Sequence, residues 1–334
     1  MGDRSLLFGS ATVVAAAAGF GLLGPVARFA YEAGLEPISF VAWRALFATL
    51  IVVLFVAWRI GRGEAFIGPW RLPGRQRAAL LTAGITSVTL NVAMFLAFER
   101  TTVALVLLAF YTSPALVAVV AVWRGVERLD GVRAAALVLA LGGMVLVVAG
   151  GLDPTGELRV DPLGIGLALS AAISQTVFVT VSRRGFATIS TDQAMGWIMA
   201  ATMATCALLA FATGGSASLA VPLTSGPALG LSALAGTLAA GIPSILFLRG
   251  IRSIGGTRTG ILMLFEPVVG VVLAAVLLKE GLAPIQLAGG GCILAAAVLL
   301  QRSGREPVLA PESVPGREVQ IRAEPATIEA RERT

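Results

Sequence analysis

Histidine is absent from this 334-residue chain, and cysteine, tyrosine and charged residues are scarce. The lack of histidine excludes imidazole proton relays, histidine metal ligands and Ser-His catalytic triads. The two cysteines, Cys206 and Cys292, stand inside apolar runs, so the sequence predicts neither a disulfide framework nor a cysteine zinc site. We therefore expect no bound metal and no cofactor.

Apolar residues make up 57% of the chain and charged residues only 13%, with a mean hydropathy of +0.88. A water-soluble fold of this composition would lack a polar surface, so the chain is expected to lie in a bilayer. A hydrocarbon core about 30 Å thick needs roughly 20 apolar residues per helix. Ten such windows occur, at about 8–28, 37–57, 78–98, 103–123, 133–151, 162–182, 193–213, 227–248, 258–278 and 284–301. The sequence predicts an all-α polytopic membrane protein with ten transmembrane helices.

Arginine placement predicts the orientation of these helices. With the N-terminus inside, sixteen arginines fall on the cytoplasmic side and four basic residues on the other, not counting the last 29 residues. Lys and Arg remain preferentially cytoplasmic, so both termini are predicted to lie inside the cytoplasmic (inner) membrane. The net charge of +6 then reflects topology, and no nucleic-acid partner is expected.

The chain contains an internal repeat. At a shift of 153 residues, YTSPALVAVVAVWRGVERL (111–129) aligns without a gap to LFEPVVGVVLAAVLLKEGL (264–282). Residues 1–151 and 152–302 are thus predicted to form two five-helix repeats. Because five is odd, the second repeat enters the membrane from the opposite side, and the halves are inverted. The segment 303–334 is rich in Pro, Glu and Arg and is predicted to be a disordered cytoplasmic tail.

Each repeat carries a proline followed thirteen residues later by a glutamate, in SPALVAVVAVWRGVE and EPVVGVVLAAVLLKE. With this signature the chain resembles the EamA family of the drug/metabolite transporter superfamily over about 8–302. Arg44 looks like an arginine common in the second helix of that family, whereas a common Trp-Gly pair is Phe20-Gly21 here. The resemblance implies export or exchange of small metabolites, often amino acids, in a superfamily that also carries sugars and other solutes.

The signature prolines, Pro114 and Pro267, fall near the middle of their windows. A proline leaves the carbonyl four residues earlier without its helical donor, here at Phe110 and Met263. Lipid offers no partner for a free carbonyl, so neighbours, water or a solute must supply one. We predict that both prolines line the transport pathway, with a kink satisfied by packing as the alternative.

Glu266 is the most informative polar residue, because an acid at the centre of a membrane helix is costly to insert and usually functional. Its repeat equivalent is Ser113, so the predicted site is asymmetric. In a functional role, Glu266 pairs with a substrate amine or carries a proton. The alternative is that it is a neutral, hydrogen-bonded structural group. Arg44 either meets a substrate carboxylate or extends to the interface.

Further polar residues lie near the midplane and are predicted to line the pathway. They are Asn91, Tyr111, Gln175 and Ser244, of which Asn91 and Ser244 are repeat equivalents. The alternative for each is an ordinary interhelical hydrogen bond. The glutamates of the signature, Glu127 and Glu280, are interpreted as stabilising helix ends rather than as gates.

The fifth and tenth windows are rich in Gly and Ala and nearly devoid of polar groups. Small residues allow close helix contact, so these helices are interpreted as peripheral or as the contact of a homodimer.

The predicted function is secondary transport of a small-molecule substrate by alternating access, with membrane lipid around the bundle. The sequence contains no GxxxxGK[ST] loop, so it gives no indication of ATP use. The aspartates stand in loops or at helix ends, so no intramembrane enzyme is expected. A channel or a lipid-handling scaffold is the alternative from a different class.

Overall fold

The computed structural model describes residues 3–126, 129–152, 159–212, 216–278 and 281–302, and over these ranges it contains α-helices but no β-strand. The helices are α1 (Asp3–Gly21), α2 (Leu23–Glu32), α3 (Pro37–Gly61), α4 (Gly74–Arg100), α5 (Val103–Phe110), α6 (Ser113–Trp123), α7 (Gly131–Gly150), α8 (Pro162–Ser182), α9 (Thr191–Ala212), α10 (Ser216–Thr224), α11 (Gly226–Gly236), α12 (Ile242–Ile254), α13 (Gly256–Met263), α14 (Glu266–Leu278) and α15 (Pro284–Arg302). A 3₁₀ turn lies at Pro69–Arg71, and a π-helical segment, Thr237–Gly241, joins α11 to α12.

Nine helical stretches within these described ranges are long and apolar enough to cross a membrane. They are Leu6–Glu32, Pro37–Gly61, Gly74–Arg100, Val103–Trp123, Gly131–Gly150, Pro162–Ser182, Thr191–Ala212, Gly226–Ile254 and Gly256–Leu278, numbered here as spans one to nine. The chain is therefore an all-helical polytopic membrane protein, as predicted.

The tenth predicted window coincides with α15, whose apolar part, Pro284–Leu300, is shorter than the other nine. At 1.5 Å per residue it reaches about 25 Å, which is less than the typical hydrocarbon thickness of about 30 Å. A tenth crossing remains a prediction, and α15 is called span ten below.

Proline and capping side chains set where many helices begin. Proline stands in the first turn of α3, α6, α8, α11 and α12, where its missing N–H costs no helical bond. The Asp130 carboxylate accepts from the Arg133 N–H at 2.8 Å and so caps α7. The Asp161 carboxylate accepts from the Leu163 N–H at 2.8 Å and caps α8.

One feature of the structure differs from the sequence predictions, and some of the predicted residues lie outside the described ranges. The short helix α10, which contains Pro222, lies between the seventh and eighth predicted windows, where the sequence predicts no transmembrane helix. Glu127, Glu280 and the predicted tail at 303–334 lie outside the described residues.

The spans pack in pairs that link the two halves of the chain. Span three packs on span six, span one on span eight, and span two on span seven. If each span is replaced by its repeat equivalent, five spans away, the pair of spans three and six becomes the pair of spans eight and one. The same replacement leaves the pair of spans two and seven unchanged. A buried apolar cluster that includes Val52, Phe178, Ile198 and Leu248 fills the space between spans two, six, seven and eight.

Spans five and ten meet through glycine. A Cβ added to Gly143 would lie 2.6 Å from the Gly289 carbonyl, and one added to Gly289 would lie 2.5 Å from the Gly143 carbonyl. The two backbones are therefore in direct contact, as small residues permit in a membrane. This face of α7 is occupied by α15 of the same chain.

Candidate functional site

Spans four and nine are both interrupted next to their signature prolines. In span four α5 ends at Phe110 and α6 begins at Ser113, so Tyr111 and Thr112 form the break. In span nine α13 ends at Met263 and α14 begins at Glu266. The two breaks coincide at the shift of 153 residues that relates the repeats.

The two breaks face each other through their polar side chains. The Tyr111 hydroxyl lies within hydrogen-bonding reach of the Glu266 carboxyl. Tyr111 is buried, with 6% of its surface exposed, and Glu266 is half-buried. Glu266 stands in the first turn of α14, directly after the break, rather than inside an unbroken helix. A carboxylate is well placed there beside the free N–H groups of a helix start.

Local hydrogen bonds satisfy carbonyls beside the break in span four. The Thr112 hydroxyl donates to the Ala109 carbonyl at 2.7 Å, and the Leu116 N–H donates to the Thr112 carbonyl at 3.1 Å. In span nine the Phe265 N–H donates to the Leu262 carbonyl at 3.1 Å. Ala109 and Leu262 adjoin Phe110 and Met263, whose carbonyls the sequence predicts to be left free.

Glycines let other spans approach the breaks closely. A Cβ on Gly21 of span one would lie 2.7 Å from the Glu266 carbonyl, and a Cβ on Gly260 would lie 3.3 Å from Pro114. Spans one, four and nine thus converge where the backbone is irregular. Irregular backbone at membrane depth is tolerated where protein or a water-filled cavity surrounds it.

A second polar pair joins spans two and three. The Arg44 Nη2 donates to the Asn91 Oδ1 at 3.1 Å, and the Asn91 Nδ2 donates to the Ser87 carbonyl at 2.9 Å. Arg44 is half-buried and lies within electrostatic range of Tyr31 and Cys206. The guanidinium is therefore held inside the bundle by another helix.

The remaining predicted residues occupy separate positions. Ser113 is buried at the start of α6, and Ser244 is buried on α12 beside Pro243. Gln175 is half-buried on α8, and Pro267 is half-buried in the first turn of α14. The structure thus groups four of the nine predicted residues into two pairs, Tyr111 with Glu266 and Arg44 with Asn91.

A charged cluster at one end of the bundle was not predicted from the sequence. Asp192, in the first turn of α9, has 1% of its side chain exposed. Its carboxylate accepts two hydrogen bonds of 2.7 Å from the Arg249 Nη2 and one of 3.1 Å from the Arg249 Nε. It also accepts a hydrogen bond from the Arg59 Nη1. One buried acid therefore joins spans two, seven and eight.

An open cavity of about 470 Å³ adjoins this cluster. Its charged and amide-bearing lining residues are Arg59, Glu64, Asp192, Gln193, Arg249 and Arg252. Arg59 also pairs with Glu64 at 2.5 Å, and the Gln193 Nε2 donates to the Glu64 Oε1 at 3.1 Å. The cluster lies where α3 ends and α9 begins, which the arginine distribution assigns to the cytoplasmic side.

In the part of the chain that the structure describes, no group of three or more Cys, Asp or Glu side chains is arranged to hold a metal ion. The polar groups present are hydrogen-bond donors and acceptors and charges of both signs. Such groups can recognise a polar solute.

The fold and the polar residues at its helix breaks define a polytopic membrane protein of the transporter class. A sequence model of the EamA-like transporter family matches residues 7–149 and again residues 162–302. The chain belongs to this family, which confirms the resemblance seen in its sequence.

Curated relatives and a solved structure agree with this assignment. The threonine/homoserine exporter RhtA of Escherichia coli K12 is 27% identical over 241 residues, which cover 70% of this chain and 75% of the relative. An uncharacterized transporter of Archaeoglobus fulgidus is 27% identical over 303 residues, covering 90% and 98% of the two chains. A crystal structure with 20% identity superposes with a TM-score of 0.69 over 88% of this chain and 98% of the other, which shows the shared fold.

Proposed function

We propose that this protein is a secondary transporter that exports or exchanges small polar metabolites across the cytoplasmic membrane by alternating access. The observation that carries the proposal is the meeting of Tyr111 and Glu266 at the two helix breaks. Broken helices that face each other near the bilayer centre are the usual place for a transporter to bind its solute. Pro114 and Pro267 produce the breaks and, in this proposal, line the pathway.

The pairing of spans supports a two-fold relation between the halves. An exchange of spans five positions apart maps the contact between spans three and six onto the contact between spans one and eight. Inverted repeats related in this way allow one half to adopt the conformation of the other, which closes one end of the pathway and opens the other. The proposed carrier uses residues 1–151 and 152–302 as these halves.

Amino acids and related compounds are the proposed substrates. An α-amino acid carries a carboxylate and an ammonium group, and the bundle holds one charge partner for each, Arg44 and Glu266. The relative in Escherichia coli is described as an exporter of threonine and homoserine, which have both groups. Gln175 and Ser244 are proposed as further pathway residues, with Ser113 opposite Glu266 in the repeat.

Counterflow in proteoliposomes tests this function. Vesicles with the purified chain are loaded with unlabelled threonine, homoserine or a pooled metabolite panel, and uptake of the labelled compound is measured with and without a pH gradient. We expect transient, saturable accumulation that requires the internal compound. An ohmic conductance in planar bilayers without counterflow would show a channel instead, and counterflow of sugars alone would reject the amino-acid assignment.

A further inference from the structure

Asp192 connects three membrane spans at one end of the bundle. It lies on span seven, and its two arginine partners, Arg59 and Arg249, lie on spans two and eight. The partners are 133 and 57 residues away in the chain, so the contacts belong to the tertiary fold. Arginine binds a carboxylate through several donors at fixed angles, which orients the helices as well as attracting them.

Neighbouring bonds extend this connection to the segment between spans six and seven. Arg252, one turn after Arg249 on α12, donates to the carbonyls of Phe186 and Ile189 at 3.2 Å and to the Thr191 hydroxyl at 3.1 Å. The end of span eight is thereby attached to the chain that leads into span seven. Separation of these spans would break all of these bonds together.

The solvent exposure of the three charged side chains determines the free-energy cost of separating spans two, seven and eight. Asp192 is 1% exposed, whereas the Arg59 and Arg249 side chains are each 39% exposed. The arginines already contact water and would lose little on separation. A buried carboxylate without its partners is strongly unfavourable. Spans two, seven and eight can therefore part at this end only if water reaches Asp192.

Within the described residues, the cluster has no copy at the positions that the repeat relates to it. At the shift of 153 residues, the positions of Asp192, Arg249 and Arg59 correspond to Ser39, Leu96 and Ala212. The start of span two is held by neutral bonds instead, such as the donation from the Glu36 N–H to the Ser218 hydroxyl at 2.9 Å. The two ends of the pathway are thus closed by different chemistry.

From this asymmetry we propose that Asp192, Arg59 and Arg249 form an ionic lock that keeps the pathway closed at this end before a solute binds. The lock rests on the alternating-access function proposed above. Because the other end lacks it, the conformation closed at the lock is the more populated one in the empty carrier. Opening at this end requires the lock to break and water to enter, and the cavity of about 470 Å³ beside it provides that access.

Val52 offers a position from which opening can be measured. It is fully buried on span two, two helical turns from Arg59 on the same face. A Cβ on Gly196, one turn beyond Asp192 on span seven, would lie 3.6 Å from its side chain. Val52 therefore lies behind the lock between the two helices, and a cysteine at this position meets a water-soluble reagent only when they separate.

The experiment uses the full chain with Val52→Cys, with Cys206 and Cys292 replaced by alanine, in lipid nanodiscs where both faces are accessible. The rate of reaction with a charged maleimide is measured without solute. We expect Asp192→Asn to raise this rate at least about tenfold, the change produced by losing about 1.4 kcal/mol of the closed state. The matched control is Asp161→Asn, which keeps a cap on α8 and loosens the exposed Arg100 pair of 3.6 Å at the other end. It should leave the rate unchanged.

A second variant covers failure of Asp192→Asn to fold. The double change Asp192→Asn with Arg249→Gln removes both charges of the pair with the most hydrogen bonds, leaves no buried carboxylate in the cluster, and should raise the rate to the same extent. An unchanged rate in a folded variant would overturn the lock. The labelling assay contains no solute, so its result is independent of counterflow. Faster labelling without counterflow of any compound would retain the lock and reject the proposed function, and counterflow with unchanged labelling would do the reverse.

Discussion

The hydroxyl of Tyr111 lies within hydrogen-bonding reach of the carboxyl of Glu266, although 155 positions of chain separate the two residues. One belongs to the break in span four and the other begins the helix after the break in span nine. The irregular parts of both proposed repeats therefore meet through side chains. A change at either residue should affect the same site, which makes the pair the sharpest test of the proposed pathway.

Glu266→Gln is expected to lower counterflow at least tenfold or to change its dependence on a pH gradient. The amide keeps the shape and a hydrogen-bond acceptor for Tyr111 but cannot carry a proton or a negative charge. Thermal unfolding in detergent should remain close to that of the unchanged chain. The control is Glu99→Gln, an exposed acid at the end of α4, which should transport normally. Unchanged rates and unchanged pH dependence for Glu266→Gln would remove this residue from the mechanism.

Tyr111→Phe is expected to reduce counterflow by about three- to tenfold, because a typical hydrogen bond contributes a net of about 0.5–1.5 kcal/mol. In the double variant with Glu266→Gln, the two losses should not add, since the Tyr111 hydroxyl is expected to act through the Glu266 carboxyl, which the second change replaces. Transport rates of the four proteins in this cycle provide the measurement. Fully additive losses would show that the two side chains act separately.

Much of the fold was predictable because membrane helices must satisfy their own backbone bonds and match the bilayer thickness. The fourth window, 103–123, is confirmed by Val103–Trp123, and the ninth, 258–278, by Gly256–Leu278. Proline explains the positions of the two breaks. The short helix α10 was not predicted, because its nine residues are too few to give a span and Pro222 argues against a helix.

The contacts between the site residues were less predictable from the sequence than the residues themselves. Arg44 and Asn91 were each selected for being polar at membrane depth, but their contact crosses from span two to span three. Asp192 was interpreted as a loop or helix-end acid, and Arg59 and Arg249 as markers of the cytoplasmic side. Polarity along the chain indicates that a residue needs a partner, but it does not indicate which partner the packing of helices supplies.

Arg44→Lys is expected to raise the half-saturation concentration for a carboxylate-bearing solute about tenfold. Lysine retains the charge but loses the planar donor array that bonds Asn91 and a carboxylate together. Asn91→Ala should have a smaller effect in the same direction, because Arg44 loses one bond that orients it. Concentration-dependent counterflow measures both variants. Arg100→Lys, in an exposed pair, is the control, and an unchanged half-saturation value for Arg44→Lys would contradict a role in binding.

Gly143→Ala is expected to destabilise the protein by about 2 kcal/mol, as overpacking of a tight contact usually does. The new Cβ would lie 2.6 Å from the Gly289 carbonyl, so α7 and α15 must move apart. Gly142→Ala is a matched control one residue away, since its Cβ would meet nothing within 4 Å and alanine favours the helix. Melting temperatures in detergent should fall for the first variant and hold or rise for the second. Equal values would show that spans five and ten do not depend on this contact.

The predicted topology can be tested through the hydrogen bond from the Thr188 N–H to the Gln76 Oε1, 3.0 Å long, which joins the segment before α9 to the first turn of α4. These segments must lie on the same side of the membrane, and the arginine distribution assigns that side to the cytoplasm. Single cysteines at the exposed positions Arg75 and Ala187, in a chain without its native cysteines, should react with an impermeant maleimide only after cells are permeabilised.

A cysteine at Glu36, exposed at the opposite end of span two, should react in intact cells and serves as the control. Span two is about 37 Å long, since its 25 residues each rise 1.5 Å, so Arg75 and Glu36 cannot share a face. If the cysteines at Arg75 and Ala187 react in intact cells and the cysteine at Glu36 reacts only after permeabilisation, the fold is retained and its orientation in the membrane is inverted. Reaction of Arg75→Cys and Ala187→Cys from different sides would contradict the segment contact itself and, with it, the threading of two five-helix units in opposite senses.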